Sequence, residues 1–233
     1  MQPQRKRYSF CTRLSSVTLS QSLTAIERST FYDCTSLTTL VIPDGVKHID
    51  TQAFSGCENL VDITLPNQLI NIGPYVFQYC FALETVKIPE GVTTIQYLAF
   101  EGCSNLKSIT LPTTLTDIGM GAFKDCYSLQ DIYVKTATPP TFATTGNFQN
   151  SKDPDKVYNT ATLYVPIGSL QAYKEATDWK GFANIQEFDP TAVSGIHDDR
   201  TISTTLYDLQ GRKLQQKPSK GMYIQGGKKV LVK

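Results

Sequence analysis

The stretch AFSGCENLVDITLP, residues 53–66, recurs along the chain with little variation, and its cysteine returns at a constant interval of 23 residues. The spacing holds for all six cysteines: Cys11, Cys34, Cys57, Cys80, Cys103 and Cys126. A fixed period between about 20 and 50 residues is typical of solenoids, in which each coil stacks on the coil before it. The chain is therefore predicted to form a solenoid of 23-residue coils.

Apolar residues occupy fixed positions around each cysteine. The third residue before it is aromatic in every coil: Tyr8, Phe31, Phe54, Phe77, Phe100 and Phe123. The third residue after it is always leucine, and two further apolar positions, six and eight residues after it, alternate across one residue. Because such alternation is the period of a strand, each coil is predicted to contain one short strand.

Each predicted strand is followed by a signal for a change of direction. Proline stands directly after four of the strands: Pro43, Pro66, Pro89 and Pro112. It lacks the N–H that pairing within a sheet requires, so it ends the strand and turns the chain. A second apolar pair, such as Val46 with Ile49, then marks the return side of the coil.

The regular coils, about five and a half of them, fill residues 1–135. The first coil begins in the middle of the pattern at Tyr8, and residues 1–7 are too few to cover its open face. An uncovered end is a liability for a solenoid. We therefore expect that an N-terminal cap is missing, and that further coils or a cap, with a signal peptide, precede Met1 in the natural protein.

Residues 136–190 are predicted to be an irregular last coil and a C-terminal cap. The strand pattern returns at Leu163, which follows Ile132 by one period plus an insertion of eight residues. Residues 169–176 favour a short helix with Ser169 as its N-cap. Large apolar side chains follow that suit a cap over the last coil: Trp179, Phe182 and Ile185.

Residues 191–233 form a third predicted segment, a small β-rich tail. Residues 206–214 and 221–232 alternate around turns that contain glycine, which predicts two hairpins. Residues 194–233 carry eight basic residues against three acidic ones, a net charge of +5. Since the basic residues of this segment are not interleaved with aromatic residues along a groove, we interpret it as a solvated face or a surface for export machinery.

The composition of the whole chain excludes several classes of protein. A formal net charge of +1 over 233 residues gives no basic excess that would indicate nucleic acid. The sequence has no run of 18 apolar residues, so no transmembrane segment is predicted. Residues 1–7 are basic, but serine, threonine and arginine interrupt residues 8–22, where a signal peptide needs an apolar stretch.

The repeated phrase at residues 53–66 resembles the BspA-like leucine-rich repeats of bacterial surface proteins, from Tyr8 to about Val134. The resemblance implies a leucine-rich repeat solenoid with short strands and few helices. The tail, from Tyr207 to Lys233, resembles the C-terminal sorting domains of type IX secretion in Gram-negative anaerobes. Together these resemblances imply a protein that is extracellular or on the outer surface of a Gram-negative bacterium, and in some members an adhesin for host matrix proteins.

Six cysteines in an exported chain invite three disulfides, with 15 pairings to choose from. Equivalent positions in successive coils, however, lie about 4.7–4.9 Å apart with parallel side chains. That separation exceeds the Cβ–Cβ distance of about 3.8 Å in a disulfide. We therefore predict a buried ladder of free thiols, and no metal site, because the 23-residue spacing spreads the sulfur atoms along the whole solenoid.

Nothing in the sequence indicates catalysis. The two imidazoles, His48 and His197, are not accompanied by a catalytic motif such as G-x-S-x-G or H-E-x-x-H. His48 is interpreted as a solvent-facing coil residue. The acidic pair Asp153 and Asp155 lies in a loop that contains proline, and is interpreted as solvated rather than as a glycosidase pair. The sequence predicts no enzyme and no cofactor.

Candidate binding residues stand where the repeat departs from its usual residues. The positions beside each cysteine are mostly small or acidic, but Tyr79 and Phe81 flank Cys80 and Tyr127 follows Cys126. Exposed aromatic residues are frequent interface anchors, although single ones are common on any surface. The outward strand positions form a threonine-rich ladder that suits a solvated strand equally well, interrupted by Lys87 and Tyr133. These five residues are the predicted partner-binding set.

The function predicted from these observations is a non-enzymatic, secreted or surface-attached interaction protein, adhesin-like, whose solenoid presents a rigid face to host matrix or other protein partners. The alternative from another class is a glycan-binding module that serves a polysaccharide-utilisation system. A structural spacer remains open, as does an intracellular scaffold if Met1 is the natural start. No nucleic-acid partner is predicted.

Overall fold

Short strands of two to five residues account for most of the regular structure. The computed structural model describes residues 8–144 and 146–191, and four strands between residues 206 and 232. In chain order the elements are β1 (Ala25–Ile26), β2 (Thr39–Val41), β3 (His48–Ile49), β4 (Asp62–Thr64), β5 (Asn71–Ile72), β6 (Thr85–Lys87), β7 (Thr94–Ile95), β8 (Ser108–Leu111), β9 (Asp117–Ile118), β10 (Asp131–Val134), β11 (Thr141–Phe142), α1 (Lys156–Thr160), β12 (Thr162–Pro166), α2 (Leu170–Glu175), β13 (Asn184–Phe188), β14 (Leu206–Tyr207), β15 (Lys213–Leu214), β16 (Gly221–Gln225) and β17 (Lys228–Val232).

Parallel sheets form two sides of the solenoid. One is a six-stranded sheet in the order β1-β3-β5-β7-β9-β11, and the other contains the five-stranded sheet β6-β8-β10-β12-β13 and the pair β2-β4. Residues one period apart pair directly, as Ile49 with Ile72 and Ile109 with Ile132. The 23-residue interval is therefore one coil, and the predicted solenoid is confirmed. The predicted strand at Val17 and Leu19 is wrong: that stretch of the first coil is irregular, and its link to the next coil is a long 3.4 Å bond from Thr38 N to Ser15 O.

The aromatic residue three positions before each cysteine lies on the third side of the coil. The backbone N–H of this residue donates to a carbonyl of the next coil, as from Phe77 to Ala99 O and from Phe100 to Ala122 O, both at 2.8 Å. The rings form one continuous stack with centroids 5.1–5.6 Å apart: Tyr8, Phe31, Phe54, Phe77, Phe100, Phe123 and Phe148. The stack joins the coils into a single hydrophobic core.

The cysteines form the predicted ladder of free thiols. Each thiol from Cys34 onward donates to the carbonyl of the aromatic residue 26 positions earlier, as from Cys57 to Phe31 O at 3.1 Å and from Cys126 to Phe100 O at 3.3 Å. Burial raises the pKa of these thiols. They are uncharged groups that fill the core and satisfy a backbone carbonyl.

The eight extra residues of the last coil are distributed over its circumference. Phe148 continues the aromatic stack after Phe123, two positions later than the period would place it, and Leu163 in β12 pairs with Ile132 in β10. Most of the insertion lies between Phe148 and Leu163, where α1 has been added outside the sheets. The coil therefore keeps its contacts with its neighbour, although its sequence no longer follows the regular pattern.

A cluster of aromatic side chains covers this coil. Trp179 is fully buried, donates from Nε1 to Pro140 O at 2.8 Å, and packs 4.8 Å from the ring of Phe142. The predicted helix is confirmed as α2, with Ser169 at its N-cap, but the Ser169 side chain makes no capping hydrogen bond to the helix. Its hydroxyl donates instead to Pro166 O at 2.6 Å. Ile185 lies in the added strand β13 rather than in a separate cap.

The contacts within the chain define two units, residues 1–188 and 189–233. The predicted segments 1–135 and 136–190 share the core of the first unit. In the second unit, β14 pairs with β15 and β16 pairs with β17, both antiparallel, which confirms the two predicted hairpins. A further pairing of β14 with β16 joins them into one four-stranded sheet. His197 and the side chains of the basic tail lie outside the described residues.

Candidate interaction surface

The residue directly before each cysteine has a left-handed backbone. Its φ angle lies between 54° and 77° in all six coils: Phe10, Asp33, Gly56, Tyr79, Gly102 and Asp125. A left-handed backbone costs about 1–2 kcal/mol for a residue with a Cβ atom, whereas glycine adopts it freely. Tyr79 therefore places an aromatic ring at a position where glycine, found in two of the other coils, avoids this backbone cost. Residues held in a strained backbone conformation are often found at binding sites.

Tyr79 and Phe81 form an exposed aromatic pair on either side of the buried Cys80. Their side chains are 45% and 41% exposed, and their ring centroids lie 5.9 Å apart. The ring of Tyr79 lies across Gly102 in the next coil, where an added Cβ atom would approach Tyr79 Cδ1 to 2.7 Å. Glycine at position 102 thus leaves the space that this ring occupies.

The backbone around this pair is held from both sides. Tyr79 N donates to Glu101 O at 2.8 Å, and Asn105 N donates to Phe81 O at 3.2 Å. Between them the thiol of Cys80 donates to Phe54 O at 3.3 Å. The two rings are therefore carried on a backbone that is already ordered, so a partner would not have to pay the entropy of ordering it.

Tyr127 occupies the same position as Phe81 two coils further along, with the small Ser104 between them. It is half-buried, and a hydrogen bond to the carboxylate of Asp125 raises the pKa of its phenol. Lys152 Nζ lies 5.8 Å from the centroid of its ring, within the range of a cation–π contact. We call Tyr79, Phe81 and Tyr127 the aromatic patch.

A row of polar side chains runs behind the aromatic patch. Gln78 donates from Nε2 to Glu101 Oε2 at 2.7 Å, and Lys124 Nζ lies 3.2 Å from Glu101 Oε1. The hydrogen bond from Lys124 to the nearly buried carboxylate of Glu101 raises the pKa of this lysine. The row links successive coils directly beside the patch, and adds a partly exposed ammonium group to its edge.

Two residues of the predicted binding set lie elsewhere. Lys87 is exposed on the outer face of β6, on a sheet rather than on the side that carries Tyr79. Tyr133 lies on the outer face of β10, but the expectation that it is exposed is wrong, since only 9% of it is accessible. Its ring stacks on Tyr164 at 4.4 Å and meets Phe188 edge-on at 5.6 Å, so residues of the last strands cover it. We do not include either residue in the patch.

The described residues contain no arrangement of side chains that indicates catalysis. His48 is exposed on β3, and no three side chains of histidine, cysteine, aspartate or glutamate converge among residues 8–144 and 146–191. Asp153 and Asp155 are exposed in the loop before α1. None of the described helices has the length and apolar content needed to cross a membrane.

A parallel sheet on two sides, a stacked aromatic column on the third and a leucine in every coil define a leucine-rich repeat solenoid. The chain belongs to the BspA-type leucine-rich repeat family, whose repeat region matches residues 4–130 in six copies. Proteins of this family are typically non-enzymatic binding proteins that are secreted or at the cell surface. The comparison with curated proteins gives no match.

Two solved structures illustrate the likeness. A leucine-rich cell surface protein from Faecalibacterium prausnitzii is 33% identical over 52% of this chain, with a TM-score of 0.50, and this chain covers 32% of its length. The pneumococcal vaccine antigen PcpA is 20% identical over 75% of this chain, with a TM-score of 0.59, and this chain covers 42% of its length. The latter likeness shows the shared fold.

Proposed function

We propose that the chain is an adhesin-like interaction module of a secreted or surface-attached protein, and that the aromatic patch binds a protein partner. The observation that carries this proposal is the exposed pair Tyr79 and Phe81, 45% and 41% accessible, on a backbone held by hydrogen bonds on both sides. Aromatic anchors with a polar rim are the usual composition of protein interfaces.

The surroundings of the patch favour a protein as the partner. Lys152 and Lys124 bring ammonium groups to its edge, and the carboxylates of Asp125 and Glu101 hold their own positions through hydrogen bonds. Charges of both signs next to exposed rings can match the mixed side chains of a protein surface. Because the solenoid orders these groups before binding, little conformational entropy is lost when the partner arrives.

The binding test uses purified chain and a panel of immobilised fibronectin, fibrinogen and collagen. Tyr79→Asn with Phe81→Ser is expected to weaken binding to the recognised protein at least thirtyfold, since the loss of even one interface anchor costs about 2 kcal/mol. Ile167→Ser, which removes a 70% exposed apolar side chain far from the patch, is the matched control and should bind normally.

The same double variant tests whether the patch serves stability instead. Asparagine tolerates a left-handed backbone, and both lost rings are exposed, so the free energy of unfolding should change by less than about 1 kcal/mol. Unchanged affinity of the double variant for every recognised protein would refute the patch as the site. Binding to glycans without binding to any of these proteins would favour the glycan-binding alternative.

We also propose that residues 191–233 direct export of the chain by type IX secretion. The support is the resemblance of this segment to sorting domains, and its four strands form an antiparallel sheet. In a Gram-negative host with this secretion system, and with a signal peptide fused before residue 1 of both chains, a chain that ends at residue 190 should stay in the periplasm while the full chain reaches the medium or the outer surface. Equal export of both chains would contradict this role.

A further inference from the structure

A polar groove lies on the outer face of the six-stranded sheet, away from the aromatic patch. Its volume is about 460 Å³, within the range of ligand sites. The groove exists because Gly73 has no side chain, whereas Asp50 and Gln96 occupy the equivalent positions in the coils on either side. A Cβ atom on Gly73 would lie 2.9 Å from Ile49 O, so the backbones here are too close for a larger residue.

The walls of the groove offer hydrogen-bond donors and acceptors together. The side chains of His48, Asn71 and Gln96 line it and make no hydrogen bond to another described residue. Asp50 also lines it, and its Oδ1 accepts from Thr51 N at 2.6 Å and from Thr51 Oγ1 at 3.2 Å. That carboxylate is therefore already oriented, with its second oxygen left to accept from a ligand.

The groove also has apolar lining. Pro74 and Ala25 line it together with the polar side chains. An apolar surface beside amide and carboxylate groups offers both the C–H contacts and the hydrogen bonds that a sugar ring can make.

We propose that this groove binds one neutral sugar residue of an oligosaccharide. Its hydroxyl groups donate to Asp50 and accept from the amides of Asn71 and Gln96, while its C–H face packs toward Pro74. An anion such as phosphate is disfavoured because the carboxylates of Glu27 and Asp50 both line the groove. A metal ion is disfavoured because no set of ligating side chains converges among the described residues. This site goes beyond the proposed protein interface and shares none of its residues.

The test measures binding of the full chain to maltohexaose, cellohexaose and mannohexaose by calorimetry, with inorganic phosphate as the anionic probe. One of the hexasaccharides is expected to bind. Asn71→Ala and Gln96→Ala should each weaken that binding about tenfold, because each leaves a sugar hydroxyl without its partner. Gln130→Ala removes the same amide group from an exposed position outside the groove, and should leave the affinity unchanged.

Three outcomes would overturn the proposal. They are the absence of binding by all three hexasaccharides at about 5 mM, an affinity that neither Asn71→Ala nor Gln96→Ala reduces, and binding of phosphate that these variants abolish. Both side chains are partly exposed and without partners, so the variants should unfold at the same urea concentration as the parent chain. The Tyr79→Asn with Phe81→Ser variant should retain the sugar affinity, which separates this site from the aromatic patch.

Discussion

Between pH 8 and pH 10 the solenoid is expected to lose about 7 kcal/mol of its free energy of unfolding. Five fully buried thiols cause this loss: Cys34, Cys57, Cys80, Cys103 and Cys126. Burial raises the pKa of each above its ordinary value of 9.0. At pH 10 the folded chain therefore still holds protons that the unfolded chain has released.

The raised pKa values determine that the free energy of unfolding falls, rather than rises, with pH. The stabilising contribution of a buried neutral thiol is complete below pH 9, and it is lost as the unfolded thiol ionises at higher pH. Each thiol then removes about 1.4 kcal/mol per pH unit. Because domains are stable by about 5–15 kcal/mol in total, five thiols that titrate together can unfold the chain.

Urea unfolding at a series of pH values, with a reducing agent present, measures the loss. The fluorescence of Trp179, the single tryptophan, reports the folded state. Cys103→Ala should reduce the slope of unfolding free energy against pH by about a fifth, since one of five titrating groups is gone. An equal urea midpoint at pH 8 and pH 10 would show that the thiols ionise in the folded chain.

Replacing Phe100 by alanine is expected to lower the free energy of unfolding by about 3–5 kcal/mol. The ring is fully buried and stacks on Phe77 at 5.1 Å and on Phe123 at 5.4 Å. Its loss leaves a cavity in the middle of the stack that the close coils on both sides cannot fill. In a solenoid each coil contacts only its neighbours, so the break also separates the two halves energetically.

Phe81→Ala is the matched control, because it removes the same side chain from a position that is 41% exposed. It should change the free energy of unfolding by no more than about 0.5 kcal/mol. Urea unfolding followed by circular dichroism compares the two variants over the whole chain. Similar losses of unfolding free energy in the two variants would mean that the aromatic stack does not contribute the stability predicted for it.

The regular coils were predictable because one physical requirement, burial against the next coil, acts on the same positions in every period. Leu163 and the prolines after the strands could be predicted for the same reason. Phe148 was missed because the insertion moves it two positions beyond the place that the period gives after Phe123, although an aromatic residue near the expected position was a signal for it. A search that allowed the period to vary slightly would have found it.

The surface was less predictable, because it depends on contacts between parts distant in the sequence. Tyr133 stands in an outward strand position, but Tyr164 and Phe188 return from later coils to cover it. The left-handed backbone at Tyr79 was not predicted, because glycine precedes the cysteine in only two of the six coils. The groove at Gly73 depends on the absence of one side chain between two others, and no apolar or aromatic pattern indicates it.

The insertion that carries α1 shows that a repeat array can gain residues without losing the pairing between its coils. Added residues have entered the chain between two fixed points, Phe148 in the aromatic stack and Leu163 in β12, without shifting the pairing of β10 with β12. Register is set by contacts across the coils rather than by the length of chain between them. The exposed residues 153–156 before the buried Val157 are therefore where a foreign peptide could be grafted, displayed on a scaffold that keeps its geometry.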